Sequence, residues 1–340
     1  MRRQSRAASR PVARLSSVAA AIFAVTLIAG CSTDPEDAAG GPRADGAEDS
    51  AAECVATPVT PGEQERTMMS GGVERDYLLY VPESYDPGKS ATLIMNLHGS
   101  ASNPRQQMDG ANFAAVAEEH GFIMVAPQGS VPLEVQGFSG WAWNIPGVLL
   151  SDGGDGKEAP PGPDDVLFLE ELVDAERSAF CADTVIVTGS STGGRMASYL
   201  GCASDRFDAI APAAGLRVPE DCKPKRAVDV LAIHGTADPV NGYEGGGNPP
   251  WGDVSVPDSL AHWAQLMSCQ AGPAREQLTE HVVEDAWTEC TGGVEVRLVT
   301  VNGGGHTWPG AAPNPELEKV AGPITQEVNA GELIFERLVD

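Results

Sequence analysis

The strongest constraint on this chain is a series of six short strand-like runs, most of them apolar throughout. They are 92–97 (TLIMNL), 122–127 (FIMVAP), 184–189 (TVIVTG), 209–215 (AIAPAAG), 230–235 (VLAIHG) and 294–301 (VEVRLVTV). A strand with one wet face alternates apolar and polar side chains, whereas a strand covered on both faces reads as a continuous apolar run. Between and after these runs lie segments with helical spacing, at 106–119, 163–180, from Arg195 to Leu200, 257–268 and 324–338. Strands that alternate with helices predict a mostly parallel sheet with helices on both faces, a three-layer α/β domain. Two further runs, 65–69 and 75–81, flank Gly71-Gly72 and predict an antiparallel hairpin before the parallel strands. The Gly- and Pro-rich stretches 128–163 and 241–256 read as long surface loops, which in a compact fold tend to carry function.

Chemistry is carried by Gly189-Ser190-Ser191-Thr192-Gly193, which fits G-x-S-x-G between an apolar strand and a helix-forming stretch. Such a junction turns sharply, and glycines on either side relieve contacts with the neighbouring strand and helix. Ser191 is then raised above the sheet edge at a helix N-terminus, with the Thr192 N–H aimed at an oxyanion formed there. Two later segments add partners. Asp238 sits in a turn just past the run 230–235, and His306 sits in a Gly-rich loop just past the run 294–301. Loops at the carboxyl ends of strands in an open α/β sheet converge on one rim. His306 would take the serine proton, and Asp238 would fix the imidazole tautomer and stabilise the imidazolium. Taken singly, Asp238 is also an ordinary turn residue and His306 an ordinary loop histidine; the ordered set at three strand ends favours a triad. His234, which precedes the acid position, reads as a buried hydrogen-bonded residue. His98-Gly99-Ser100 follows a strand at the place of a second oxyanion donor, for which the Ser100 N–H is the candidate.

The segments LHGSASN, VTGSSTGGRMASYLGC, IHGTADPV and GGGHTWPG resemble the extracellular polyhydroxybutyrate depolymerase and feruloyl esterase group of α/β-hydrolases. The likeness runs from about Cys54 to the C-terminus. It implies an α/β-hydrolase fold and hydrolysis of carboxylic esters, with Ser191, Asp238 and His306 at the matching positions and no cofactor. The group often has Asn or Ala where Thr192 stands; that position supplies a backbone N–H, so the change is expected to tune substrate fit. Trp308, beside the base, is expected to wall an acyl or aryl pocket. Trp141, Trp143 and Trp251 are expected in core or loop packing. Hydroxyalkanoate oligomers and acylated plant sugars are both admissible substrates. A serine peptidase of the same fold and a catalytically silent surface binding protein are the alternatives.

The ends of the chain and its charge say where such an enzyme works. Five arginines and no acid precede an apolar run of 13 residues, Val18 to Gly30, too short to span a bilayer and typical of a secretory leader. The run ends Leu27-Ile28-Ala29-Gly30-Cys31, which resembles a bacterial lipobox and implies lipid on Cys31 as the only membrane attachment. Residues 31–53 then read as a lipidated cysteine and a disordered acidic tether, and 54–340 as one catalytic domain, expected to be monomeric. Loss of residues 1–30 takes the net charge from −26 to −31. Such acidity excludes a nucleic-acid binder. Of seven cysteines, six remain after Cys31, an even number that in an exported domain implies bridges. Spacing alone cannot pair them; Cys54–Cys181, Cys202–Cys222 and Cys269–Cys290 are the expected pairs, the last two near the catalytic rim. Asp152, Asp155, Glu158, Asp164 and Asp165 do not fit a calcium-loop spacing and read as a solvated loop and a helix start, and no metal is expected.

Overall fold

The computed structural model describes residues 59–135, 137–148, 162–245 and 254–339. The leader, Cys31, the tether, Cys54, Asp152, Asp155, Glu158 and Trp251 lie outside the described residues.

The strands of the main sheet are β1 (Gly62–Ser70), β2 (Val73–Val81), β3 (Ala91–Leu97), β4 (Ile123–Pro127), β7 (Ala182–Ser190), β8 (Ala209–Ala213), β9 (Asp229–Gly235), β10 (Ala271–Gln277), β11 (Val282–Thr288) and β12 (Val296–Val301). A separate hairpin pairs β5 (Val131–Val135) with β6 (Phe138–Ala142). The ten-stranded order is β1-β2-β4-β3-β7-β8-β9-β12-β11-β10. The six central strands, from β4 to β12, are mutually parallel. An antiparallel pair flanks them on each side.

The helices are α1 (Pro104–Ala111), α2 (Phe113–His120), α3 (Asp165–Phe180), α4 (Thr192–Ala203), α5 (Val256–Leu266), α6 (Pro315–Ala321) and α7 (Ala330–Leu338). Successive side chains of a strand point to opposite faces, and the central strands feed two cores in this way. Leu93 and Met95 of β3 join Phe168 and Leu172 of α3, Leu200 of α4 and Trp263 of α5. Ile94 joins Met108, Phe113 and Val116 of α1 and α2 and Ile334 of α7. Both faces are covered, which is why the runs of β3, β4, β7, β8 and β9 are apolar without alternation; the run of β12 alternates in its first half, through Glu295 and Arg297.

Several expectations need correction. The segment 106–119 is two helices, broken at Asn112, whose φ of 50° puts it in the left-handed region that Asn tolerates. The helix expected over 324–338 starts only at Ala330, capped by Asn329 Oδ1, which accepts from the Gly331 and Glu332 amides. Ahead of it α6 is an extra helix, started by Asn314 as cap and Pro315 in the first turn. The stretch 128–163 holds the β5–β6 hairpin. Strands β10 and β11 extend the sheet without an apolar run of their own. Asp164 does cap α3, accepting from the Leu167 amide. Asp165, however, is fully buried and not solvated: Arg75 donates to it at 2.6 Å.

The bridges Cys202–Cys222 and Cys269–Cys290 are present. Cys181 is disulfide-bonded, with its partner outside the described residues. The two described bridges do not lie near the rim that carries Ser191. Cys202 is at the far end of the 12-residue α4, about 18 Å along the helix from its start. Cys290 follows β11 beyond Trp287, which pairs with Val296 at the opening of β12. Both bridges therefore pin the opposite end of the sheet.

Candidate active site

Ser191 links β7 to α4 with φ 54° and ψ −115°, a conformation a residue with a Cβ adopts only when its surroundings impose it. Those surroundings are close. A Cβ on Gly189 would overlap the Leu97 carbonyl, and one on Gly193 would overlap the Leu97 and His98 carbonyls. The motif glycines thus let the turn press onto the end of β3. The Ser191 amide donates to the Ala213 carbonyl at 2.9 Å, and the Ser191 carbonyl accepts from the Arg195 amide at 3.0 Å.

The loop after β3 lies against this turn. A Cβ on Gly99 would sit 3.5 Å from the Ser191 Cβ. The Ser100 hydroxyl donates to Thr192 Oγ1 at 3.2 Å. His98 is buried and holds the loop from beneath. Its Nε2 accepts from the Gly129 amide at 3.0 Å, so Nδ1 carries the proton, and that proton points at the Gly99 carbonyl at 2.8 Å. Burial pushes the imidazole down to about 4, against the pull of the Gly99 carbonyl. The His98 carbonyl in turn accepts from the Trp143 indole at 2.7 Å.

Asp238 and His306 come together from the loops after β9 and β12. His306 Nδ1 donates to Asp238 Oδ2 at 2.8 Å. The other carboxylate oxygen accepts from the amides of Val240 (2.8 Å) and Asn241 (2.7 Å). His234 is buried; its Nε2 donates to the Asn241 carbonyl at 2.8 Å and lies 3.2 Å from Asp238 Oδ2. Burial opposes ionisation of Asp238. Hydrogen bonds from His234, His306 and the Asn241 amide outweigh it and hold the carboxyl well below the usual range. His306 is fixed from its backbone, with its amide donating to the Ala321 carbonyl at 2.6 Å.

Ser191, Thr192, Ser100 and His306 line one cleft of about 490 Å³. Its walls are largely apolar. Leu133, Val135 and Phe138 come from the β5–β6 hairpin, Val240 from the loop after β9, and Val320 and Ile324 from α6 and the segment after it. Phe138, Val240 and Val320 are exposed at its mouth. Trp308 lines the cleft too, though most of its ring is in the core against Phe113 (centroids 5.8 Å apart). Trp143 is fully buried and Trp141 half-buried.

Two residues of this site, Asn241 and Arg195, gave no functional signal in the sequence. Asn241 ties the acid loop together: beyond its contacts to Asp238 and His234, its side-chain amide donates to the Ala214 carbonyl at 2.6 Å and its oxygen accepts from Arg195. Arg195, on the first turn of α4, lines the cleft; burial and then Arg217 push its guanidinium down to about 9, against the pull of Asp238. His98 was legible only as part of the His-Gly-Ser triplet. Among the described residues one group has three potential metal ligands close together, Glu119, His120 and Glu332. None of the three lines the cleft, and the Glu332 contact (2.7 Å) and Phe335 stacking of His120 already account for its placement.

No family model matches the chain. It is similar to feruloyl esterase B of Piromyces equi, 30% identical over 245 residues, covering 68% of this chain and 42% of that protein. A bifunctional acetylxylan esterase/xylanase of Neocallimastix patriciarum is 23% identical, over 76% of this chain and 36% of that protein. The chain thus spans less than half the length of these two relatives. A putative esterase of Nocardia uniformis subsp. tsuyamanensis is 26% identical, with 81% of this chain and 82% of that protein covered. Among solved structures, an acetyl xylan esterase from Aspergillus awamori superposes with a TM-score of 0.51 at 15% identity, over 76% of this chain and 98% of that one. That likeness is one of fold: the architecture is the α/β-hydrolase one.

Proposed function

We propose that this chain, an α/β-hydrolase of the feruloyl esterase group, is an exported serine esterase working through an acyl-enzyme on Ser191. The observation that carries the reading is the pairing of His306 Nδ1 with a buried, strongly acidic Asp238, in the cleft that Ser191 also lines. With Nδ1 donating to Asp238, Nε2 is the nitrogen left to take a proton. His306 removes the Ser191 proton as the hydroxyl attacks the ester carbonyl. The oxyanion is held by the Thr192 N–H at the start of α4 and the Ser100 N–H of the loop after β3. His306 returns the proton to the leaving alcohol, then takes one from a water whose oxygen attacks the acyl carbonyl, and passes it to Ser191 Oγ as the acyl–Ser191 bond breaks and the acid leaves.

The apolar walls suit an aryl or alkyl acyl group, and Trp308 packs behind it. Feruloylated or acetylated plant sugars and hydroxyalkanoate oligomers are the substrate classes. The basic-apolar segment 1–30 supplies export, Cys31 the lipid attachment and 31–53 the acidic tether; three disulfide-bonded segments of the described fold accord with an oxidising compartment. Among the described residues no helix is long and apolar enough to cross a membrane.

Ser191→Ala, assayed on a p-nitrophenyl acyl ester and on methyl ferulate, is expected to lose roughly 10⁴-fold or more in kcat. Turnover equal to the parent protein, or peptide turnover exceeding ester turnover, would overturn the reading.

A further inference from the structure

A second cleft, of about 510 Å³, lies on the other side of the β5–β6 hairpin from the site just described. Its size falls within the range of ligand pockets, about 300–1,000 Å³. The hairpin's register explains the division. Leu133 pairs with Gly140, Val135 with Phe138, and Pro132 with Trp141. Because side chains alternate across the ribbon, Leu133, Val135 and Phe138 face the Ser191 cleft, whereas Trp141 lines the second one. The Trp141 amide donates to the Ser102 carbonyl at 2.8 Å, which fastens the hairpin to the loop before α1. That loop is shared: Ser102 and Gln106 line the first cleft, Asn103 and Arg105 the second.

The chemistry of the second cleft differs from that of the first. One half-buried indole stands among the amides Asn103 and Gln128, the carboxylates Glu65 and Asp76, and the guanidinium group of Arg105; the Arg66 side chain turns to the other face of β1. Arg105 is paired with Glu63 and Glu65, and Arg66 lies 3.8 Å from Glu176. The charges of Glu65 and Arg105 are thus balanced within the protein, whereas Asp76 has no ion pair among the described residues. A surface of this kind holds, among the described residues, no unpaired cation for a lone anion and little apolar area for a lipid. It offers a flat aromatic face for C–H groups and a ring of planar donors and acceptors for hydroxyls, which together match a neutral polyhydroxylated chain.

We propose that this cleft is a saccharide subsite. It binds the neutral glycan of an acylated polysaccharide while the acyl group enters the Ser191 cleft across the Ser102 ridge. The assignment rests on the esterase reading for its purpose, but not for its binding. Trp141 is the stacking platform, and Asn103, Gln128 and Asp76 are the hydroxyl partners.

The test uses the Ser191→Ala protein titrated calorimetrically with xylohexaose, cellohexaose and maltohexaose, so that binding is read without turnover. At least one hexaose is expected to bind, with affinity falling roughly tenfold or more on adding Trp141→Ala and largely restored by Trp141→Tyr. Asp76→Asn, a near-isosteric change, supplies the same test without disturbing the hairpin. In the active protein, Trp141→Ala is expected to raise KM for a feruloylated xylo-oligosaccharide while leaving kcat/KM for methyl ferulate unchanged. No binding of any hexaose, or an equal loss on both esters, overturns the subsite. Retention of full ester turnover by Ser191→Ala would instead overturn the esterase reading and leave the binding result standing.

Discussion

His98 Nδ1 stands 2.8 Å from the carbonyl oxygen of Gly99, its own chain neighbour. In a trans peptide the C=O and N–H point opposite ways. Fixing the Gly99 carbonyl toward the buried imidazole therefore turns the Ser100 N–H away from it, on the side where an oxyanion would form. His98→Phe keeps the bulk and loses the donor. It is expected to lower kcat on a small ester by roughly tenfold or more with little change in KM, since one oxyanion donor is worth about 10²–10³ when removed outright.

The same histidine sets a pH dependence. Burial holds its folded pKa down to about 4, against an ordinary 6.5. Between these values the unfolded chain binds a proton that the folded chain refuses, so stability rises with pH across that window. The His98 contribution is complete above about pH 6.5 and is lost as pH falls toward 4. Urea midpoints measured from pH 7 to pH 4 should fall for the parent protein and fall less for His98→Phe relative to its own value at pH 7.

Asp238→Asn should leave the fold in place and reduce kcat by about 10⁴-fold, because the amide no longer dictates which imidazole nitrogen carries the proton. The measurement is kcat against pH on a p-nitrophenyl ester, with circular dichroism as the control for folding. The parent carboxyl, held well below its usual range, should produce no activity loss of its own between about pH 5 and pH 7.

Arg75 and Asp165 form an ion pair whose side chains are 5% and 0% exposed. Removing one partner strands the other charge. Arg75→Met is expected to cost about 3–5 kcal/mol in urea or guanidinium unfolding. The loss includes the contact of the guanidinium with the Phe168 ring, 4.0 Å from its centroid.

The bridges Cys202–Cys222 and Cys269–Cys290 span 20 and 21 residues. Opening either one should cost roughly 3 kcal/mol of stability. As both sit at the end of the sheet away from Ser191, mild reduction should lower Tm while leaving kcat unchanged at temperatures well below the transition.

The sequence revealed what repeats or what has a strict local requirement. The central parallel strands announced themselves because both faces are covered. The turn at Ser191 did so because Gly189 and Gly193 are the residues that fit against Leu97 and His98. Asp238 and His306 were legible as positions after strand ends, and their pairing needed coordinates. Strand β10 was missed because its side chains are mostly exposed, β11 because Glu284 and Asp285 interrupt its apolar residues although both are buried, and the extra helix α6 because residues 315–321 carried no expectation. The break at Asn112 depends on one left-handed residue, which propensity does not announce. The bridges Cys202–Cys222 and Cys269–Cys290 are paired as expected but misplaced, since which end of a sheet a cysteine occupies follows from strand direction and not from spacing. Asn241 was invisible for a plainer reason: its side chain acts on Ala214 and Arg195, which are distant in the chain.

Asp165 does more than neutralise Arg75. Its Oδ2 accepts from the Ser130 amide and hydroxyl and from the Asn144 amide, at 3.3, 3.1 and 2.7 Å. Ser130 and Asn144 bracket the β5–β6 hairpin on its two sides. One carboxylate at the start of α3 therefore clasps both ankles of the arm that walls the Ser191 cleft. Because the arm is held at those ankles and is a sheet of its own, changes between them are expected to leave the main sheet, the turn at Ser191 and the Asp238–His306 pair in place. On the proposed esterase reading, the hairpin selects the ester while Ser191, Asp238 and His306, held by the sheet, cleave it.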